Sequence, residues 1–462
     1  MSPAKIVIIG GGSFSWGPTF LRDLFITPEL RGSTLVLEDI NPENLALTYA
    51  LGSKMIADFG LDFKLESSLS LEEALPGADF VILTITTGGL EAMRHDLEIP
   101  ARYGIHHSVG DTVGPGGLAR ALRNIPVVAG IAHAVQRLAP GALFLNYTNP
   151  LSALTRTLCR EADFKVVGLC HEWPGVRGRL AQLFGVPPEQ ITARVGGINH
   201  LPWVTELAVG GQALLAGGVG PAASAAGGLY SVAAQILAGE IEIEPDDPSP
   251  MADHGLAKAH LLQLYGALPG AGDRHIVEFF PFFLSKANGY GAAHRIGLTG
   301  IADRQAWRQE DRGWIEAALR GDMPLEPFMQ HMSGEAAGPI LAAVVGGGRY
   351  QGILNLPNQG QIENLPQAAI VETDGVIDAL GPRPLHFGRL PAAVQAVVER
   401  HLRNQELTVE AGLTGDRRLA LQALLNDPLA GSLSIEQTGQ MLDELLAANQ
   451  EFIPVEKANS AD

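Results

Sequence analysis

The stretch Lys5-Ile-Val-Ile-Ile-Gly10-Gly11-Gly12-Ser13-Phe14-Ser15 decides the fold of this 462-residue chain. Consecutive β-branched residues followed by glycines predict a buried strand and a tight turn into a helix. In that arrangement backbone N–H groups and the helix N-terminus face an anion such as a pyrophosphate. The residues expected at the anion are Gly10, Gly12, Ser13, Phe14 and Ser15. Ser15 stands where the G-x-G-x-x-G pattern has its third glycine, and a purely structural turn would give the same local pattern.

A second strand supports a dinucleotide site. Leu35-Val-Leu-Glu38-Asp39 ends in two acidic residues, and Asp39 follows Ser15 at about the spacing expected of a carboxylate that accepts the ribose hydroxyls. Glu38 is expected to point to the opposite face of the strand, because side chains alternate. A carboxylate at this position favours NAD over NADP, whose additional phosphate it would repel.

The first half of the chain alternates short β-branched runs with helical patterns. This alternation predicts an α/β fold with a doubly wound parallel sheet. The predicted strands are Lys5–Ile9, Ser33–Leu37, Phe80–Thr84, Leu143–Tyr147 and Val166–Cys170. The helices predicted between them include Thr19–Ile26, Pro42–Gly60 and Leu118–Arg137.

After about Gly197 the pattern becomes mixed, which predicts an α+β C-terminal domain rather than more of the same sheet. We expect a nucleotide-binding domain at 1–196 and a substrate, metal and oligomerisation domain at 197–462. Leu207–Gly239 carries no charged residue, but its glycine pairs and proline favour a buried helix with a glycine-rich lead-in over a membrane span. The tail Glu456–Asp462 is expected to fray. Further predicted elements are the strands Trp203–Leu207 and Gly352–Asn355 and the helices Leu256–Tyr265, Arg304–Leu319, Leu390–Glu410 and Arg417–Asn426.

Charge and cysteine content exclude several classes of protein. The formal net charge of −18 argues against nucleic-acid binding, which requires clustered Lys and Arg. The N-terminal apolar run is too short for a signal peptide. Cys159 and Cys170 are the only cysteines, too few for a disulfide framework, so a reducing cytoplasm is expected.

Polar residues cluster where predicted strands end. Asn146-Tyr-Thr-Asn149-Pro150 closes one strand, Cys170-His171-Glu172 closes the next, and Gly197-Ile-Asn-His200 follows. The carboxyl edge of a parallel sheet is where ligands bind, so a thiol and an imidazole there can share a metal ion. Taken singly, each residue has a structural interpretation that competes with metal binding. Cys170 can be a small buried hydrophobic residue, and His200 can be a core histidine whose hydrogen bonds are satisfied.

Together these segments resemble glycoside hydrolase family 4, and the resemblance extends in order to about Pro428. It is carried by Lys5–Ser13, Gly110–Gly117, Arg120–Arg123, Asn146–Pro150, Cys170–Glu172, Gly197–His200, Glu278–Pro281, Leu356–Pro357, Leu365–Pro366, Val371–Glu372 and Val409–Ala411. The resemblance implies a Rossmann-like nucleotide domain of the lactate/malate dehydrogenase type. It also implies hydrolysis of a sugar substrate by an NAD-dependent route.

In that route NAD⁺ takes hydride from C3, a base removes the acidified C2 proton, the glycosidic bond breaks, water adds and NADH returns the hydride. A divalent metal, typically Mn²⁺, polarises the C3 oxygen. Carried over residue by residue, Cys170 and His200 are the metal ligands, although thiolate and imidazole suit softer metals better than manganese. Asn149, His171 and Glu172 are expected at the sugar, with a strand-end cap as the alternative role. Asp111 is expected to act on the substrate or as an acid, or else to be a turn carboxylate.

At the base this sequence departs from the family pattern. Asp253 is preferred as the base over Tyr265, and Lys258, which follows where the family usually has arginine, is expected to bind the substrate. Cys-His-Glu resembles the group that acts on α-linked glucuronides. Arg274 or Arg295 is expected to pair with the carboxylate of the substrate, since a guanidinium matches that anion; both fit structural ion pairs equally well.

The sequence therefore predicts an α-linked hexoside, a glucuronide or another anionic sugar, as the substrate of a homodimeric or homotetrameric enzyme. A simple NAD-dependent dehydrogenase of the lactate/malate type is the alternative enzyme. A non-catalytic NAD-binding sensor is the third interpretation.

Overall fold

The computed structural model of the protein describes residues 3–216, 228–243, 245 and 251–453. Strands alternate with helices through the first half of the chain, as predicted. In chain order the strands are β1 (Lys5–Ile9), β2 (Thr34–Glu38), β3 (Lys64–Ser68), β4 (Phe80–Leu83), β5 (Leu143–Asn146), β6 (Lys165–Gly168), β7 (Ile191–Ile198), β8 (Leu201–Val209), β9 (Gln212–Leu215), β10 (Leu268–Pro269), β11 (Tyr350–Pro357), β12 (Ile370–Asp378) and β13 (Gly381–Pro384).

The helices cover both faces of the sheet formed by these strands. They are α1 (Trp16–Phe25), α2 (Pro42–Phe59), α3 (Leu71–Ala74), α4 (Gly89–Arg102), α5 (Gly114–Leu138), α6 (Leu151–Glu161), α7 (Glu172–Phe184), α8 (Leu229–Leu237), α9 (Leu256–Tyr265), α10 (Asp273–Ile276), α11 (Ile301–Arg320), α12 (Glu326–Met329), α13 (Ala337–Val345), α14 (Ala392–Thr414), α15 (Arg417–Asn426) and α16 (Ile435–Ala448). The bounds of α9 and α15 are those predicted from sequence, and the other predicted elements are confirmed with small shifts at their ends.

One mixed sheet runs through both halves of the chain, in the order β10-β8-β7-β12-β11-β6-β5-β4-β1-β2-β3. The first six strands of the chain, β1 to β6, are parallel to one another. The later strands are antiparallel and join this sheet where Asn355 of β11 pairs with Gly168 of β6. The second half is α+β, as predicted, but its strands do not form a separate sheet, because β11 covers the open edge of β6. The boundary at 196/197, which stays a prediction, falls inside β7.

Strand β1 is covered on both faces, which explains why its apolar run is continuous. Ile6 and Ile8 lie in the same core cluster as residues of α1, including Phe20. Val7 and Ile9 lie on the other face in a cluster with residues of α5. A strand that is covered on both faces needs apolar residues at every position.

Among the described residues, no helix is long and apolar enough to cross a membrane. The uncharged stretch considered above includes the end of β8, β9 and α8. Its expected glycine-rich lead-in at 217–227 lies outside the described residues, as does the tail expected to fray at 456–462.

Candidate active site

The glycine turn after β1 lies against the end of β2. Gly10 and Gly11 donate their N–H groups to the carbonyl of Glu38, at 2.9 and 2.8 Å. Gly10 has φ +88°, and a Cβ there would lie 2.0 Å from the carbonyl oxygen of Thr84, so only glycine fits. Gly12 donates its N–H to Asp39 Oδ2 at 2.9 Å. The turn and Asp39 are thus adjacent, as a dinucleotide site requires.

The other residues predicted at the cofactor follow this turn. Ser13 Oγ accepts from the N–H of Trp16 at 3.1 Å, at the start of α1. Phe14 is buried in the core, whereas Ser15 is exposed and its side chain forms no cap on α1. Glu38 is buried, and burial, followed by the charge of Asp39, raises its pKa to about 7. Glu38 therefore differs from Asp39 in both exposure and contacts, and the role of Asp39 at the ribose stays a prediction.

A second cluster combines three segments that are distant in sequence. Asp111, His200 and His275 bring one ligand atom each to within 4.8 Å of one another. Asp111 lies in the loop before α5, His200 in the turn between β7 and β8 with φ +62°, and His275 on α10. The imidazole centroids of His200 and His275 are 3.7 Å apart. These residues offer one carboxylate and two imidazoles, which are ligand types that bind divalent metal ions.

Thr112 determines the tautomer of His200. Its hydroxyl donates to Asp111 Oδ1 at 2.7 Å and lies 2.7 Å from His200 Nδ1. A hydroxyl has one hydrogen, which goes to the carboxylate, so Nδ1 must carry the proton that bonds to Thr112 Oγ1. The lone pair of His200 is then on Nε2, which is the atom left to bind a metal. Burial, followed by the charge of His275, lowers the pKa of His200 to about 4, which keeps the ring neutral.

Asp111 is held in its ionised form. Burial alone would raise its pKa, but His275, His200 and Arg120 nearby keep it well below the usual range. Asn149 Nδ2 donates to Asp111 Oδ2 at 3.1 Å. The structure thus joins two residues that sequence predicted separately, and an ionised Asp111 is suited to be a ligand rather than a proton donor.

Glu172 lies beside the cluster. Its Oε2 accepts from the N–H of Gly272 at 2.5 Å, and its Oε1 is 3.7 Å from His275 Nε2. Burial opposes ionisation, but His275, His200 and His171 lower the pKa of Glu172 to about 2. The other ring nitrogen of His275, Nδ1, is buried without a hydrogen-bond partner among the described residues.

Cys170, predicted as a metal ligand with His200, is not part of the donor group. Its thiol has a hydrogen bond with the Asn199 side chain, and burial, with Glu372 and Glu172, raises its pKa well above the usual value. Glu372 in turn accepts from Asn355 Nδ2 at 2.9 Å. The role of Cys170 as a metal ligand stays a prediction, and its surroundings favour the protonated thiol.

The contacts of Asp253, the preferred candidate, argue against a role as the catalytic base. Lys258 Nζ donates to both carboxylate oxygens of Asp253, at 2.8 and 2.6 Å, and to Asp273 at 2.8 Å. Asp273 also accepts the N–H groups of Ala257 and Lys258 in the first turn of α9. Burial would raise the pKa of Asp253, but the charges of Lys258 and Arg179 and the hydrogen bonds from Lys258 and Gly255 together lower it. This network anchors α10, which carries His275, to α9.

Tyr265, the other candidate base, packs its ring against Trp203 and Phe280, with centroids at 5.3 and 5.7 Å. Burial raises its pKa. Neither property suits a proton acceptor. Its catalytic role stays a prediction that the aromatic contacts do not favour.

The residues predicted at the sugar and its carboxylate are divided between the site and the surface. His171 is exposed and pairs with Glu335 at 2.8 Å, which raises its pKa to about 9. Arg295 is exposed and pairs with Glu242 at 3.2 Å. Arg274, in contrast, donates to the carbonyl of Ser108 at 3.1 Å, close to the Asp111 loop. The structural ion pair is therefore the role that the contacts of Arg295 favour.

Sequence reasoning missed four residues of this region: Thr112, Arg120, His275 and Arg304. Arg120 lies in a segment that carries the family resemblance, and His275 follows Arg274. Nothing in the spacing of these segments indicates a shared site. Arg304 was part of a predicted helix with no special pattern. Only contacts between distant segments identify them.

Comparison with known proteins gives a consistent result. The model described as family 4 glycosyl hydrolase matches residues 5–186, and that of the family 4 glycosyl hydrolase C-terminal domain matches 195–430. An alpha-galacturonidase of Bacillus subtilis is 36% identical over 96% of both chains. A glucosidase structure from the same organism has a TM-score of 0.86 at 33% identity, covering 96% of this chain and 100% of the other.

Two more distant structures share the fold. A 6-phospho-alpha-glucosidase from gut microorganisms, in complex with NAD and Mn²⁺, has a TM-score of 0.81 at 21% identity and covers 99% of this chain and 100% of the other. The malate dehydrogenase of Cryptosporidium parvum has a TM-score of 0.52 at 15% identity, covering 89% of this chain and 100% of the other. The predicted dehydrogenase-like fold class is confirmed.

Proposed function

Because the chain belongs to family 4 of the glycosyl hydrolases, we propose that it hydrolyses an α-linked uronide with NAD and a divalent metal. The observation that carries this proposal is the cluster of Asp111, His200 and His275, which is in contact with Asn149 through Asp111. Four alpha-galacturonidases are 31 to 36% identical to this chain, which supports a galacturonide as the sugar.

The residues of the glycine turn fit NAD. Close packing at Gly10 and Gly12 leaves room for backbone but not for a Cβ, and Asp39 offers acceptors for the ribose hydroxyls. When bound, NAD supplies reversible hydride transfer at the sugar, so no net cofactor is consumed. The related 6-phospho-alpha-glucosidase structure contains NAD and Mn²⁺, which supports the same pair of cofactors in this chain.

The donor cluster fits a divalent metal. A carboxylate with two imidazoles suits Mn²⁺ better than the predicted pair of Cys170 and His200 does. When bound, the metal supplies Lewis-acid polarisation of a sugar oxygen. Asp111, His200 and His275 would hold it, and Cys170 remains a proposed neighbour of the site rather than a member of this donor set.

The chain's own side chains prepare this site for a sugar. Thr112 holds His200 in the tautomer with a free Nε2, and Asn149 holds the second oxygen of Asp111. Glu172 and His275 supply further polar groups at the same place. In this proposal Asp111 is a ligand. Asp253 positions α10 instead of taking the C2 proton, and Lys258 positions α10 instead of binding the substrate.

The location and assembly of the enzyme are further parts of the proposal. Cys159 and Cys170 are both free thiols, which suits the reducing cytoplasm. A homodimer or homotetramer is proposed on sequence grounds, and size-exclusion chromatography with light scattering tests it.

A substrate panel tests the proposed function. Aryl α-galacturonide, α-glucuronide and α-galactoside are assayed with NAD⁺ and Mn²⁺ under reducing conditions. We expect release of the aglycone from a uronide without net NADH, loss of activity with EDTA, and a loss of at least tenfold in His275→Gln. Stoichiometric NADH formation would instead indicate a dehydrogenase, and NAD binding without turnover of any substrate would indicate a sensor.

A further inference from the structure

We propose that Arg120 and Arg304, next to Arg274, form the site that binds the substrate's carboxylate and thereby selects a uronide over a neutral hexoside. We call these three residues the arginine cluster. This inference rests on the proposed function, because it places the anionic group of the substrate beside the donor residues Asp111, His200 and His275.

The arginine cluster is assembled around the loop that carries Asp111. Arg304, in the first turns of α11, donates from Nη2 to the carbonyl of Val109 at 2.8 Å. Arg274 donates to the neighbouring carbonyl of Ser108 at 3.1 Å. Arg120, on α5, donates from Nε to the carbonyl of Asn149 at 3.0 Å. A backbone carbonyl therefore helps to orient each guanidinium.

The nearby acidic groups are already engaged with other cations. Asp96 forms a two-pronged ion pair with Arg123, at 2.7 and 2.6 Å, and both side chains are fully buried. Glu278 lies 3.4 Å from His107 and also accepts the N–H groups of Val109 and Gly110. Neither acid forms a direct ion pair with Arg120 or Arg304, although Asp96 attracts Arg120 and Glu278 attracts Arg304 at longer range.

Arg120 and Arg304 have no direct carboxylate partner. Among the described residues they form no ion pair, and Arg304 Nε is buried without a hydrogen-bond partner. Burial lowers the pKa of both guanidinium groups, and so do the neighbouring arginines, whereas the charge of Asp111 opposes this at both. A divalent metal on Asp111 would offset the negative charge of that carboxylate. Partly buried cations without a direct ion pair are costly, and an anionic ligand reduces that cost.

A carboxylate is the anion that this arrangement suits. Its two oxygens lie in one plane, as do the N–H groups of a guanidinium, so it can accept paired hydrogen bonds. Each guanidinium donates one N–H to a fixed carbonyl, which fixes its plane and leaves other N–H groups to donate to the two oxygens of a carboxylate. Arg304 is the residue expected to discriminate most strongly, because its Nε has no other acceptor.

Substitution of Arg304 tests this assignment in the full-length enzyme with NAD⁺ and Mn²⁺. Arg304→Gln keeps much of the volume and removes the charge, Arg304→Lys keeps the charge without the planar fork, and Arg320→Gln is a matched control at the exposed end of α11. The substrates are aryl α-galacturonide, α-galactoside and 6-phospho-α-galactoside. Thermal shift with galacturonate or galactose measures binding without catalysis.

We expect kcat/KM for the galacturonide to fall about 100-fold in Arg304→Gln and about tenfold in Arg304→Lys, as for loss of a charged, paired contact. In Arg304→Gln, activity on the galactoside should fall less than activity on the galacturonide. All activities of Arg320→Gln should change less than about threefold. Galacturonate should stabilise the wild type more than galactose does, and Arg304→Gln should abolish the difference.

Two outcomes overturn the inference while leaving the glycosidase proposal intact. One is an equal loss on charged and neutral substrates in Arg304→Gln together with unchanged stabilisation by galacturonate. The other is a wild-type preference for the phosphorylated sugar. Failure of the wild type to release aglycone from every substrate would refute the proposed function instead, and the thermal shift with galacturonate would still decide whether the cluster binds a carboxylate.

Discussion

Replacement of Thr112 by valine should weaken metal binding without a large change of shape. Valine has nearly the volume of threonine but no hydroxyl, and Thr112 is 8% exposed. The substitution removes both the acceptor for His200 Nδ1–H and the donor to Asp111, each at 2.7 Å. His200 is then free to move its proton to Nε2, the atom that the metal requires as a lone pair.

The expected magnitude follows from these two contacts. A buried imidazole N–H that loses its acceptor costs about 1–3 kcal/mol. Removal of the outer partner of a metal-binding histidine typically weakens metal affinity about 10–100-fold. The two estimates agree, since about 1.4 kcal/mol corresponds to a factor of ten.

Titration of NAD-saturated protein with Mn²⁺, by calorimetry or by the electron paramagnetic resonance signal of free Mn²⁺, measures the effect. Thr112→Ser is the matched control, because it keeps the hydroxyl and loses one methyl group; its Kd should stay within about threefold of wild type. If Thr112→Val binds Mn²⁺ as tightly as wild type, the tautomer argument is refuted. If the serine variant is as weak as the valine variant, packing rather than the hydroxyl is responsible.

Three further predictions concern other parts of the molecule. Asp39→Asn should raise the KM for NAD⁺ about tenfold with little change of kcat, because a charged acceptor for the ribose is lost; steady-state kinetics with unchanged KM would contradict this. Lys258→Met should lower the free energy of unfolding in urea by about 3–5 kcal/mol, since it leaves buried carboxylates unpaired. Adding Asp253→Asn should recover part of that loss, and no recovery would mean that lost packing dominates. The hydrogen bond to Glu335 raises the pKa of His171 from 6.5 to about 9, so its stabilising effect is full below pH 6.5 and is lost as pH rises through 9. The difference in unfolding free energy between wild type and His171→Gln should shrink over that interval, and a difference independent of pH would rule out the ion pair as its source.

Sequence patterns predicted most of the parallel sheet and the cofactor turn because both are local. The β-branched run of β1, the glycines that follow and Asp39 lie in two short segments, and the register of β1 with β2 brings them together. The same patterns did not predict that the strands of the second half join this sheet. The pairing of β11 with β6 is a contact between distant strands, and no periodicity in either strand specifies its partner.

What the sequence by itself determined is therefore the fold class, the family resemblance, the dinucleotide turn and the strand ends that carry Asn149 and Cys170. Only the tertiary structure decided that His275 joins His200 and Asp111, and that Arg304 faces the same loop. The physical reason is that α10 and α11 are placed by long-range contacts. The buried network anchored on Lys258 holds α10, and the Val109 carbonyl holds Arg304, so the composition of the site depends on packing between segments rather than on spacing within any one of them.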